Sequence, residues 1–235
     1  MRSLTSLEVT QGAFRPLTVT AYTPAGYASA DAWSPSIDGM LAWAAMRERL
    51  GPDFGTNLDL APVEGLPLQV VMHGDLWWYA AGMPEPSEIL GQRDKYFHRR
   101  FNSVDAERWF NGRKVETATG PHKNLRKPHF VSTCASVSWK CIGDPREVER
   151  LVTQMTSVGS GHSRGLGQVS RWEIRDGFAG EIVRPVPIGY AEEHGIRGRR
   201  AMHAIRPPKH LAANSVMCVV PDPFEALAAS ARAAA

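Results

Sequence analysis

Cysteine is scarce in this chain, and long apolar runs are missing. Its three thiols, Cys134, Cys141 and Cys218, are too few and too odd in number for a disulfide framework, a pattern that fits a reducing compartment. No stretch reaches the roughly 20 apolar residues that span a bilayer, and Met1 to Val9 lacks the apolar centre of a secretion signal. These absences lead to the expectation of a cytoplasmic protein without membrane contact. Metal signatures are missing as well: His122, His129, Cys134 and Cys141 follow one another, but their spacing matches no zinc knuckle or finger. No cofactor motif stands out, and no internal repeat recurs at a fixed period.

What is present is ordinary in bulk and uneven in place. The 235 residues suffice for one large domain or two small ones, and 43% apolar content is enough for a buried core. Charged residues make up 22%, with a net charge of +3 and a pI near 8.9. Such a balance permits a nucleic-acid partner without demanding one, so the position of the charge decides.

Leu17-Thr18-Val19-Thr20-Ala21-Tyr22 alternates apolar and polar residues, the period of a half-buried strand. Ser34-Pro35-Ser36 then offers a helix start. Ile37, Met40, Leu41 and Ala44 fall at helical spacing, Trp43, Met46 and Leu50 widen that face, and Gly51-Pro52 stops it. Leu66 to Met72 and Leu76 to Ala81 read as strand. From Gly82 to Pro128 the sequence has no clear periodicity, and an irregular stretch of that length in a compact domain is expected to be functional. His129 to Val137 reads as one strand. Asp144-Pro145-Arg146-Glu147 announces a helix with Val148, Leu151, Val152 and Met155 as its buried stripe. Val169 to Ile174 predicts a strand, and Asp176-Gly177 a turn into a second strand over Phe178 to Val183. Ser215 to Val220 predicts a final strand, and Phe224 to Ala235 a flexible tail.

Between the second helix and its following strand lies Gly159-Ser160-Gly161-His162-Ser163-Arg164-Gly165-Leu166-Gly167. No Gly-Lys-Ser/Thr closes it as a phosphate loop, and the sixth position of a dinucleotide fingerprint is Arg164 rather than glycine. Both nucleotide motifs also run strand, loop, helix, whereas this one runs helix, loop, strand. It reads either as a plain connection or as a glycine-rich surface on which a nucleic-acid backbone or a partner chain lies. The element order is that of a split βαβ pair, so the expected fold is α+β: a ferredoxin-like, RRM-like βαββαβ core with the glycine-rich loop, a basic insertion over residues 82–128 and extra C-terminal strands, all in one domain.

The insertion concentrates cations. Arg93, Lys95, Arg99, Arg100, Arg108, Arg113, Lys114, Lys123, Arg126 and Lys127 outnumber Asp94, Asp105, Glu107 and Glu116 there. Lys and Arg neutralise phosphates, and Arg does so with a bidentate fork. Tyr96, Phe97, Phe101, Trp109 and Phe110 are interleaved with them, and aromatic rings among cations suit unstacked RNA bases. The same rings read equally as core residues that anchor a solvated basic loop. Arg197, Arg199, Arg200, Arg206 and Lys209 form a second basic cluster, which is either an RNA path or a solvated loop.

The opening strand, followed by Ile37-Asp38-Gly39-Met40-Leu41-Ala42-Trp43-Ala44, with a glycine-rich loop after the second helix, resembles the RAMP superfamily of CRISPR RNA-binding proteins. The likeness covers about Leu17 to Ile174. Within that superfamily it is similar to the small subunit that holds the crRNA 5′ handle in type IV effector complexes. The resemblance implies a non-catalytic cap on a crRNA-guided complex that defends against foreign DNA such as plasmids. It implies a backbone subunit and a large subunit as neighbours, target DNA and an accessory helicase as further partners, and a thumb at residues 82–128. The RNA-contact candidates are Gly159, Gly161, Ser163, Arg164, Gly165 and Gly167 in the loop. The insertion adds Lys95, Tyr96, Arg99, Arg100, Arg113, Lys114, Lys123, Arg126 and Lys127, and the second cluster adds Arg197, Arg199 and Arg200. The alternative is a metal-independent RNA-processing endonuclease of the same superfamily, with His122 and Lys123 as base and cation.

Overall fold

The structure is a computed structural model that describes residues 14–29, 31–54, 61–102, 108, 116–120 and 122–234. Its centre is β1 (Arg15–Tyr22), whose alternate residues Leu17, Val19 and Ala21 are fully buried. On one side β1 pairs antiparallel with β8 (Ser136–Gly143), which sets Leu17, Val19 and Ala21 opposite Cys141, Trp139 and Val137. On the other side it pairs with β9 (Arg171–Asp176), Val19 opposite Ile174 and Ala21 opposite Trp172. Because side chains alternate along a strand, this register puts every one of these apolar groups on one face.

Two helices cover that face. Helix α1 (Ile37–Leu50) starts where Ser36 Oγ accepts the Gly39 N–H, and it buries Ile37, Met40, Leu41 and Ala44. Helix α2 (Pro145–Val152) has Asp144 as its cap, accepting N–H groups of Arg146 and Glu147, with proline in the first turn where its missing donor does no harm. Val148, Leu151, Val152 and Met155 are buried beneath it. The periodicity expected for both helices holds, and so does Asp144 as cap with Pro145 in the first turn; in α1 the cap is Ser36, so Pro35 precedes the helix rather than opening its first turn, and Glu147 pairs with Arg150 instead of reaching back to the cap. Trp43 does not join the core as expected: it is 41% exposed on the outer side of α1, edge-on to Phe54 and flanked by Arg47.

The fourth strand of this sheet is β5 (Glu85–Pro86), preceded by residues 80–82 whose backbone bonds β8: Gly82 N–H donates to Lys140 O, and Ile142 N–H to Ala80 O. The sheet order β5-β8-β1-β9 is the ferredoxin-like order, with α1 and α2 as the two crossovers. Within the segment expected as core strand, β3 (Val70–His73) and β4 (Leu76–Tyr79) form a separate hairpin instead.

Part of the stretch without periodicity is regular: its described residues include a long hairpin. β6 (Gly91–Arg99) pairs with β7 (Leu125–Thr133) over nine register positions, from Gly91 opposite Thr133 to Arg99 opposite Leu125. Short β2 (Tyr27–Ser29) adds to the far side of β7. The expected single strand His129 to Val137 is therefore two, broken at Cys134 and Ala135, where β7 leaves the hairpin and β8 joins the core sheet.

The C-terminal part forms a three-stranded sheet of β10 (Val186–Pro187), β12 (Ser215–Val220) and β11 (Arg199–Ala204), with α3 (Ile188–Glu193) and α4 (Pro223–Ala234). No strand forms over Phe178 to Val183: Gly177 N–H donates to Pro16 O and Thr18 Oγ1 to Gly177 O, so the turn is tied to β1 and the chain leaves β9. The expected tail is helical, because Asp222 caps Phe224 and Glu225 while Ala226 and Leu227 pack beside Trp78, Ile205 and Cys218. Arg184 joins this part to the core. Its buried guanidinium donates to the carbonyls of Tyr79, Ala81 and Ile205 and faces the Asp38 carboxylate at 3.8 Å. Among the described residues no helix is long and apolar enough to cross a membrane.

Candidate nucleic-acid interface

The glycine-rich loop lies on β2 and the turn before it. Ser160 N–H donates to Ala28 O at 2.8 Å, Gly167 N–H to Gly26 O at 2.9 Å, and Val158 N–H to Gly167 O at 2.8 Å, so both ends of the loop are pinned by backbone. Two glycines make this possible. A Cβ on Gly159 would stand 2.2 Å from Ala28 O and one on Gly167 1.8 Å from Val158 O, and both residues have positive φ. These glycines therefore serve the approach of one backbone to another: the neighbour of Gly159 is β2, and that of Gly167 is Val158 at the loop's own start. Between them His162–Arg164 makes a single 3₁₀ turn bounded by Gly161 and Gly165, with Ser163 exposed at its centre and open space around Gly165. Leu166 anchors the turn from below, buried with Ala28 and Val131.

The hairpin meets the loop at Phe97. Along β6, Arg93, Lys95, Phe97 and Arg99 share one face, and Asp94, Tyr96 and His98 the other. Phe97 packs onto the Ala28, Val131 and Leu166 cluster, and the Arg164 guanidinium lies over its ring, 3.8 Å from the centroid. The Lys95 ammonium is 5.7 Å from the same centroid. His129, buried and opposite Lys95, stands edge-on to Phe97 at 4.7 Å with its Nδ1 3.1 Å from Ser160 Oγ. One aromatic ring thus joins the loop to the hairpin and holds two cations. Among the described residues no carboxylate forms a salt bridge with Arg93, Lys95, Arg126 or Arg164.

The opposite face of the hairpin is aromatic. Tyr96 and Phe130 are 44% and 43% exposed, and the Arg126 guanidinium covers Tyr96 at 4.1 Å from its centroid. Towards the tip, Arg99 donates to the Lys123 carbonyl at 3.0 and 3.3 Å, and His122 leans on Phe101 with ring centroids 4.7 Å apart. Arg100 and the Lys123 side chain are exposed, and Lys127 takes the register position opposite Phe97. Arg113 and Lys114, like Trp109 and Phe110, lie outside the described residues.

The second basic cluster divides. Arg197, Arg199 and Arg200 are exposed at the start of β11, in a sheet that pairs with neither loop nor hairpin, and Arg200 is engaged by Glu192 at 3.3 Å. Arg206 is structural, stacked over Trp77 and bonded to Asn214. Lys209 is turned inward. Burial pushes its ammonium pKa down, opposed by Asp38. Burial alone would raise the Asp38 carboxyl, but Lys209 and Arg184 hold it below the usual carboxylate range. Burial pushes the Cys141 thiol up to about 12 and raises Cys134, so both are inert core thiols.

Sequence reasoning brought forward Arg164, Lys95 and Phe97 but missed His129, Leu166 and β2 as the parts that hold them. In β6 the residues Arg93, Lys95, Phe97 and Arg99 share a face only because the strand is paired, and both faces of it are polar enough that the sequence alone did not mark that face.

A ferredoxin-like core carrying a glycine-rich loop and a basic hairpin, joined through one stacked arginine, defines the class of this protein. A family model described as CRISPR type IV associated protein Csf3 matches residues 15–221, and the chain belongs to that family. It is accordingly a type IV CRISPR-associated subunit. No curated protein matches the chain.

Proposed function

We propose that this chain is a RAMP-type subunit that binds the 5′ handle of a crRNA and caps one end of a type IV CRISPR ribonucleoprotein, supporting defence against foreign DNA such as plasmids. The observation that carries the reading is Arg164 stacked on Phe97. It fuses loop and hairpin into one surface whose guanidinium edges have no protein acceptor among the described residues. Arg93, Lys95 and Arg99 extend that surface along β6 towards the tip. A phosphate chain following the hairpin meets cations at alternate residues, while Tyr96 and Phe130 on the other face suit unstacked bases. Backbone and large subunits are the neighbours, with target DNA and an accessory helicase reached through the assembled complex.

The role is binding without cleavage. Coexpression with the array and the neighbouring subunits, followed by extraction of small RNA from the purified complex, is expected to yield crRNA whose 5′ end this chain protects. A complex free of small RNA removes the reading. Repeat RNA incubated with the chain in EDTA is expected to stay intact, whereas products lost on His122→Ala or Lys123→Ala would replace the cap with an endonuclease.

A further inference from the structure

Beside the glycine-rich loop is a groove of about 270 Å³, and its walls include Tyr22, Pro24, Leu90, Thr133, Ala135 and Ser170. Among the described residues no charged side chain lines it. We propose that this groove takes one unstacked nucleobase of the bound RNA, with the adjoining phosphate at Arg171; the inference rests on the RNA-binding reading above.

Three observations favour a base. The first is continuity with the loop and the hairpin. Pro24 belongs to the turn whose Gly26 carbonyl accepts the Gly167 N–H, Ser170 N–H donates to Tyr22 O at 2.9 Å, and Leu90 N–H donates to Thr133 O at the root of the hairpin. The second is the mouth. Tyr22 lies on the sheet face away from α1 and α2, the Arg171 guanidinium covers its ring at 4.1 Å, and the Glu173 carboxylate accepts the Tyr22 hydroxyl at 2.6 Å. Glu173 also meets Arg175 at 2.6 Å and Arg171 at 3.7 Å, so that carboxylate faces two cations. The third is composition: apolar walls for a ring, with Thr133 supplying a hydroxyl for its edge and Ser170 Oγ, which donates to Tyr22 O at 3.2 Å, left as an acceptor. Leu90, at 71% exposure, gains the cover that an isolated surface leucine lacks.

The test uses the full-length chain and single-stranded RNAs from the repeat, with 2-aminopurine placed at successive positions. One position is expected to change its emission on binding. Ala135→Phe, which fills the groove, and Leu90→Gln, at an exposed site, are expected to abolish that change and weaken binding about 5- to 150-fold. The slope of log affinity against log salt is expected to stay unchanged, because neither variant removes a cation. Both variants binding with wild-type affinity and signal would overturn the inference and leave the loop and hairpin reading intact. Intact RNA binding with loss of partner subunits would overturn it in favour of a protein contact. A wild-type chain that binds no RNA would remove both.

Discussion

Arg164 holds a position that a lysine could not fill equally, because a planar guanidinium stacks on Phe97 and still presents its N–H edges outward. Arg164→Glu combined with Arg99→Glu is expected to weaken RNA binding at least about tenfold at low salt and to reduce the salt slope by roughly 0.7 for each phosphate left without its cation. An unchanged slope across a salt titration would take these residues off the RNA. Phe97→Leu keeps an apolar group on Ala28 and Leu166 but removes the ring. It is expected to cost about 0.5–1 kcal/mol of RNA affinity, roughly 2- to 5-fold, with little change in slope. At Asp38 the prediction concerns stability. Its folded-state pKa lies below the ordinary carboxylate value, so its contribution is complete above that value and is lost as pH falls through the folded one. Wild-type melting temperature is expected to drop on acidification below about pH 4, and Asp38→Asn, less stable at neutral pH, to drop less through that window. Parallel curves would contradict this.

Among the elements, the loop, β2 and the hairpin form one assembly, and the close backbone approach makes it intolerant of added atoms. Gly167→Ala meets both the strain of positive φ and the Val158 carbonyl, and is expected to destabilise the chain by about 2–5 kcal/mol in denaturant unfolding. A loss below about 0.5 kcal/mol would show that the loop does not dock as described. Sequence patterning was informative where one face of an element is buried. β1 alternates because Leu17, Val19 and Ala21 face the helices, and α2 announces itself through Asp144, Pro145 and its buried stripe. The hairpin was illegible for the opposite reason: β6 exposes both faces except at Phe97, so no alternation marks it, and Pro128 inside β7 argues against a strand although its partner position is only Tyr96. The break at Cys134 and Ala135 had no signal either, since strand-like residues run through it. Only the change of partner, β6 for β7 and β1 for β8, separates the two strands.

For the molecule as a whole, the C-terminal sheet is a second apolar cluster fastened to the ferredoxin-like core by Arg184, whose carbonyl acceptors come from both parts. Arg184→Met leaves Asp38 buried with Lys209 as the remaining cation beside it among the described residues, and is expected to cost about 3–5 kcal/mol of unfolding free energy. A variant as stable as wild type would show that Lys209 alone compensates the carboxylate. On this type IV CRISPR-associated subunit the core carries the loop and hairpin, which form its proposed RNA-binding surface. The most direct measurement of that claim is the small RNA retained by the complex purified with wild-type chain and with the Arg99→Glu, Arg164→Glu double variant. The account predicts crRNA with a protected 5′ handle in the first and its loss or exposure in the second; equal RNA content and equal 5′ protection in both would contradict it.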